Sequence, residues 1–199
     1  MSKKQKQTEE TKARISEAAT ALFSQKGFHA ASIEDIAAAT GVSKANIYYH
    51  FNSKEGLFLY LMDQFRLEWN EMWEVEKTKF STVTELLYGM VETSVERGLR
   101  HPLTRAAREF VKDAQGKSPD IKEQIALRHE EGRQIYRTIL EQGITAGEFK
   151  QGNVDQLSLV MECLFCGINE VVQNMELDEA KKLYRTALDS ILMGIAERH

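Results

Sequence analysis

The chain is poor in residues that break helices or staple small folds. Only two prolines, Pro102 and Pro119, occur in 199 residues, so long periodic stretches run without a forced interruption. The two cysteines, Cys163 and Cys166, are too few for a disulfide-built secreted scaffold. No run of alternating β-branched residues reads as a strand, and no apolar stretch approaches the roughly eighteen residues of a membrane span. The N-terminus is basic, but no apolar segment of the kind found in secretory leaders follows it, so a cytoplasmic location is expected. Paired carboxylates, a nucleophile triad and a phosphate-cradling glycine loop are all missing, so no catalytic residue is assigned and the chain is not expected to be an enzyme. No cofactor is expected. His29, His50, His101, His129 and His199 are scattered, so no metal site is expected either.

What is present is helix. A chain with 42% hydrophobic residues can bury a sizeable core, as one large domain or as a small head with a larger body. The expected class is all-α. The net charge of −4 is unevenly spread: residues 1–14 carry Lys3, Lys4, Lys6, Lys12 and Arg14 against Glu9 and Glu10. A local basic patch therefore survives in an acidic protein, with a modest salt dependence expected for any polyanion bound there. Residues 1–7 are polar and are expected to be disordered.

The richest segment runs from Ser32 to Lys54, SIEDIAAATGVSKANIYYHFNSK. Ser32 with Asp35 three residues on makes a capping-box pattern before Ile33, Ile36 and Ala37. Gly41 supplies a left-handed stop, and Ser43 caps a short second helix over Lys44 to His50. At 100° per residue, Ile47 and Phe51 share an inward side, and Ala45, Asn46, Tyr49 and His50 face outward. Lys44 and Tyr48 lie at the margin. Amide, phenol, imidazole and methyl groups suit a DNA groove better than a core. The amide of Asn46 fits adenine N6 and N7, and Ala45 fits a thymine methyl. Tyr48, Tyr49 and His50 can donate to phosphates, and Lys54 adds a point charge at the next helix.

In its first sixty or so residues the chain resembles the DNA-binding domain of the TetR family of bacterial transcriptional regulators. The resemblance rests on Ala18-Ala19, Leu22-Phe23, Gly27-Phe28, Ser32-Ile33, Ile36-Ala37, Gly41-Val42-Ser43, Ile47-Tyr48-Tyr49-His50-Phe51 and Lys54-Glu55-Gly56-Leu57. It implies an N-terminal three-helix helix-turn-helix DNA-binding head, here residues 1–52, and a C-terminal helical ligand-binding and dimerisation body, here 53–199. Carried onto this chain, it implies base reading by Lys44, Ala45 and Asn46. Phosphate contacts then fall to Ser32, Ser43, Tyr48, Tyr49, His50 and Lys54.

The body reads as further helices. One carries Leu57, Phe58, Leu61, Met62, Phe65, Trp69, Met72 and Trp73, and would tie head to body. Val83, Leu86, Leu87, Met90, Val91 and Val95 mark a second, ending before His101-Pro102, and Phe110 and Val111 belong to a shorter third. Ser118 caps a long helix with Pro119 in its first position, which runs to about Ala146 and stops at Gly147. The last two, expected over about Val154 to Asn174 and Asp178 to Glu197, are joined by a tight turn and should be antiparallel. Leu157, Val160, Met161, Leu164, Phe165, Ile168, Val171 and Val172 form one apolar stripe; Leu159, Cys163 and Cys166 form a narrower one. Two stripes imply two buried contacts, one of them across a dimer. The dimer candidates are Leu157, Val160, Leu164, Ile168, Val171, Leu188, Ile191, Leu192 and Ile195.

Cys163 and Cys166 form C-x-x-C in mid-helix, away from the helix N-terminus that activates redox pairs, and are expected to be small core residues. Trp69, Met72, Trp73, Met90, Phe110, Tyr136 and Phe165 are candidates to line an apolar effector cavity. Arg105, Arg108, His129 and Arg133 fit either charged anchors there or ordinary solvated helix faces. The expected function is that of a homodimeric repressor, released from a near-palindromic double-stranded operator by a small hydrophobic effector. DNA binding without an effector, and thiol redox chemistry at Cys163 and Cys166, are the rival expectations.

Overall fold

The computed structural model describes residues 2–113 and 116–195, and its regular elements among those residues are helices. The chain divides into two compact units: Met1–Asn70 with His101–Glu123, and Glu71–Arg100 with Gln124–His199. No described helix is long and apolar enough to cross a membrane.

Helix α1 (Lys3–Ala30) begins earlier than the composition suggests. Ser2 Oγ accepts the Gln5 N–H at 3.2 Å while Gln5 Oε1 accepts the Ser2 N–H at 2.8 Å, a reciprocal cap. Lys6–Glu10 and Lys12–Glu9 pairs continue the helical spacing. The expected disorder over residues 1–7 is therefore corrected: the chain is helical from Lys3, and Met1 lies outside the described residues. Near its other end α1 breaks at Gly27 (φ 82°), where a Cβ would fall 2.4 Å from a carboxylate oxygen of Glu109. Glycine satisfies both the left-handed backbone and the close approach.

Helices α2 (Ile33–Thr40) and α3 (Lys44–Phe51) follow, then α4 (Lys54–Glu76). In the first unit Phe23, Phe28, Phe58 and Phe110 form an aromatic cluster with neighbouring centroids 5.0–5.8 Å apart. Each such pair adds about 0.5–1.5 kcal/mol beyond burial. Phe110 comes from α6 (Thr104–Lys112), which also grips the end of α1. Arg105 Nη2 donates to the Gln25 carbonyl at 3.0 Å, and Glu109 accepts the His29 N–H at 3.2 Å.

The second unit holds α5 (Val83–Arg100), α7 (Pro119–Thr145) from Gln124 onward, α8 (Val154–Val171) and α9 (Leu177–Ile195). Leu87, Met90, Val91 and Val95 are the buried face of α5, as their spacing predicts. Glu148, in the turn after α7, accepts the Val83 N–H at 2.8 Å and the Thr84 N–H at 2.9 Å, capping α5 from a distant point in the sequence. The helix expected through Asn174 tightens into a 3-10 turn at Val172–Asn174, and Met175 is extended. The expected end of the last helix at Glu197 lies outside the described residues.

Burial splits the apolar stripe of α8. Met161, Phe165, Ile168 and Val172 turn inward, whereas Val160 is 54% and Val171 60% exposed. Cys163 and Cys166 are both exposed and free, which corrects their expected place in the core. Leu159 and Cys163 of the narrower stripe fall on the outer side of α8, because Met161, Phe165 and Ile168 supply its inward contact, while Cys166 stands at the rim of a cavity. On α9, Leu188 and Leu192 are consumed by the chain's own core, as is Ile168 on α8. Leu157, Leu164, Ile191 and Ile195 are half-buried.

Candidate nucleic-acid interface and cavity

Helices α2 and α3 are built from the caps their sequence calls for. Ser32 Oγ accepts the Asp35 N–H at 3.0 Å and Asp35 Oδ2 accepts the Ser32 N–H at 3.2 Å. Lys26 holds the same carboxylate oxygen at 2.9 Å, and hydrogen bonds from Lys26 and Ser32 keep the Asp35 pKa below its ordinary value. Gly41 ends α2 in the left-handed region at φ 69°, and Ser43 Oγ accepts the Asn46 N–H at 3.3 Å to open α3. The hydroxyls of Ser32 and Ser43 accept in these caps, so their O–H donors are left for an external acceptor. Only Asn52 among the described non-glycine residues has a positive φ, 63°, and it turns the chain from α3 into α4.

Ile47 and Phe51 are buried beneath α3, while Lys44, Ala45 and Asn46 are exposed beside Tyr48 and Tyr49. Tyr49 is 80% exposed, unusual for a large aromatic ring that serves no packing purpose. His50 is half-buried with its ring 5.2 Å from that of Tyr49. An eight-residue helix thus presents an amide, a methyl, an ammonium and two phenols on one surface, a set suited to base edges and phosphates.

Two charged residues are placed differently from their expected roles. Lys44 Nζ lies 2.8 Å from Glu34 Oε1, an exposed pair that raises the lysine pKa and lowers that of the glutamate through the hydrogen bond between them. Such a pair exchanges readily for a stronger anion. Lys54 points inward: its ammonium donates to the carbonyls of Phe28 at 2.9 Å and Ala31 at 3.1 Å, and lies 4.4 Å from the Phe28 ring centroid. Burial lowers its pKa. In this position Lys54 closes the C-terminal end of α1 instead of facing outward.

Within the second unit, α5, α7, α8 and α9 enclose an open cavity of about 280 Å³. Of the residues expected to line it, Met90, Tyr136 and Phe165 do so. Phe110 belongs to the aromatic core of the first unit, Trp73 packs on Phe80, and neither Trp69 nor Met72 borders the cavity. Val91, Val95, Leu99 and Tyr184 add apolar wall, and Glu162, Asn169 and Cys166 add polar atoms. Glu162 escaped the sequence analysis, yet it is the carboxylate gripped by His129 Nδ1 at 2.8 Å and Arg133 Nη1 at 2.9 Å. His129 and Arg133, named above as charged-anchor candidates, hold Glu162 and do not themselves border the cavity. Although Cys166 is exposed overall, its thiol is partly desolvated where it borders the cavity beside Glu162, which pushes its pKa up, the reverse of thiolate activation. Among the described residues, no group of three or more His, Cys, Asp or Glu is arranged to hold a metal ion.

Comparison with known proteins places both halves of the chain. Residues 15–61 match the model of the bacterial regulatory proteins of the tetR family, and residues 66–197 match that of the C-terminal region of QacR-like proteins. The HTH-type transcriptional regulator QacR of Staphylococcus aureus is 28% identical over 88% of this chain and 93% of its own length. A transcriptional regulator from Saccharomonospora viridis, solved in complex with choline, superposes with a TM-score of 0.72 at 24% identity, covering 96% of this chain and all (100%) of that one. FadR from Bacillus subtilis, solved with stearoyl-CoA, does so at 0.76 and 21% identity, covering 92% and 98%.

Proposed function

The chain belongs to the TetR family of bacterial transcriptional regulators, and from that membership we propose that it is a homodimeric repressor that leaves its operator when a small effector fills the second-unit cavity. Residues 1–52 serve as the DNA-binding domain and 53–199 as the effector-binding and dimerisation domain. The observation that carries the proposal is the division of α3, with Ile47 and Phe51 buried while Lys44, Ala45, Asn46 and Tyr49 stand free of the core. The donors, acceptors and methyl group of this surface match the edges of bases in a major groove.

In this arrangement Lys44, Ala45 and Asn46 read bases, and Ser32, Ser43, Tyr48, Tyr49 and His50 contact phosphates. Lys54 reaches a phosphate only by giving up its carbonyl partners on α1. The exposed side of α8, with Val160 and Val171, pairs with a second copy, so that two heads span a near-palindromic site. Choline and stearoyl-CoA, bound by two structural neighbours, differ so widely in size and charge that the effector must be judged from this chain's own cavity. Effector release follows from differential affinity for the DNA-competent and DNA-incompetent states.

Selection of duplexes from a random pool, followed by fluorescence anisotropy with and without competitor DNA, tests the assignment. A near-palindromic consensus bound by the dimer is expected. Binding with no sequence preference would overturn it. Native mass spectrometry of protein purified from its host tests the effector, with a co-bound small molecule that dissociates the operator complex as the expected result.

A further inference from the structure

The polar atoms of the cavity are unequally occupied, and this deepens the effector proposal on which it rests. Three rings form one wall: Phe165 lies between Tyr136, at 5.8 Å between centroids, and Tyr184, at 5.6 Å. Such a wall beside a carboxylate would ordinarily point to a cation. Here, however, each oxygen of Glu162 is already engaged, Oε1 with His129 and Oε2 with Arg133. An incoming cation would find neither carboxylate oxygen free, and would be placed close to the Arg133 guanidinium, which Glu162 shares with Glu130. The carboxylate is structural, tying α7 to α8.

The phenols differ in the opposite sense. The Tyr184 hydroxyl donates to the Phe165 carbonyl at 3.3 Å. The Tyr136 hydroxyl lines the cavity with no hydrogen-bond partner among the described residues, and burial pushes its pKa well above the ordinary phenol range. The residue is half-buried and its hydroxyl opens onto the cavity, so it stands there as a protonated donor available to an acceptor. A volume near 280 Å³ sits at the small end of ligand sites. We propose that the cavity takes an uncharged, flat, compact aromatic compound bearing a carbonyl acceptor, stacked on the Tyr136–Phe165–Tyr184 wall with its carbonyl oxygen on the Tyr136 hydroxyl.

Three probes of similar area test this on the intact protein by quenching of intrinsic fluorescence: 2-acetylnaphthalene, 2-isopropenylnaphthalene, which replaces C=O by C=CH2, and N-ethylquinolinium. The acetyl-to-isopropenyl affinity ratio should be about fivefold larger in the wild type than in Tyr136→Phe, and the quinolinium should bind most weakly. The carbonyl stretch of bound 2-acetylnaphthalene should fall relative to an apolar solvent, a readout that needs no variant. A ratio unchanged by Tyr136→Phe, or an unshifted carbonyl stretch, overturns the proposal. Preference for the quinolinium that is abolished by Gly98→Phe overturns the uncharged chemistry and leaves the cavity as the effector site. Binding of all three that Gly98→Phe leaves unchanged removes the cavity itself.

Discussion

The ammonium of Lys54 sits 2.9 Å from the carbonyl oxygen of Phe28 and 4.4 Å from the centroid of the same residue's ring. One side chain thus satisfies the end of α1 and covers the aromatic cluster of the first unit. Phe28 in turn contacts Phe23, Phe58 and Phe110, so a contact at the start of α4 bears on the whole core beneath α2 and α3.

Lys54→Met should lower unfolding stability by about 1–3 kcal/mol, because carbonyls at the end of α1 lose a charge-assisted donor. Urea denaturation followed by circular dichroism measures this. The salt dependence of operator binding should stay unchanged under conditions where the variant is folded. A slope flatter by roughly one unit would instead mark Lys54 as a phosphate contact in the complex.

Asn46→Ala should weaken operator binding by about 1–3 kcal/mol and relax the preference at one base pair in each half-site. Asn46 is exposed and its side chain has no packing role, so the thermal midpoint should not move. Anisotropy titrations against operators substituted one base pair at a time check both statements. Equal loss on every operator would assign Asn46 to the backbone.

Much of this interface was legible before the structure because its signals are local. The caps at Ser32 and Ser43, the left-handed Gly41 and the inward pair Ile47 and Phe51 all depend on residues within a turn or two of one another. The inward turn of Lys54 depends on carbonyls 23–26 residues away, and the engagement of Glu162 on residues 29–33 away. Periodicity carries no trace of such pairings. It also could not tell which apolar stripe of α8 the chain keeps: Met161 and Phe165 are buried while Val160 and Val171, on the same broad stripe, are not. Phe110 was misplaced for a related reason, since an isolated aromatic residue on a short helix fits either a cavity or a core.

Glu148 makes stability depend on acid in a defined direction. Burial alone would raise its pKa, but hydrogen bonds from the Val83 and Thr84 amides and the Thr84 hydroxyl hold it below the ordinary value of 4.5. The folded pKa lies under the unfolded one, so the stabilisation is fully present above about pH 4.5 and is lost as pH falls through the folded value. Glu148→Gln should cost about 1 kcal/mol at pH 7, the scale of a helix cap. The difference between wild type and variant should shrink as pH falls through the folded value, below 4.5. Thermal melts of both proteins across this range provide the check.

Val160 and Val171 lie on an outer line of α8 that also holds Gly167, where a Cβ would meet nothing within 4 Å. Positions 160, 164, 167 and 171 follow the helical spacing of a single stripe. Val160→Glu with Val171→Glu should leave the fold of the chain intact, since neither side chain is in its core, and should convert dimer to monomer in sedimentation equilibrium, because like charges then face each other across the seam. Operator affinity should fall with it, because each head then binds its half-site alone. A double variant that stays dimeric would move the interface elsewhere.

Gly98 offers the cleanest separation of DNA binding from effector response. It lies on α5, borders the cavity, and a Cβ built on it meets nothing within 4 Å. A larger side chain therefore grows into empty space, and replacing glycine by phenylalanine inside a helix gains roughly 0.3–0.5 kcal/mol in propensity before any packing is counted. Gly98→Phe should bind the operator as the wild type does, because α3 and its caps belong to the other unit. It should also fail to release the operator at effector concentrations that saturate the wild type, since about 280 Å³ leaves little room for a phenyl ring and a ligand together. Anisotropy with a fixed operator and rising effector reads both properties in one titration. Normal release by the filled variant would show that the effector acts outside this cavity.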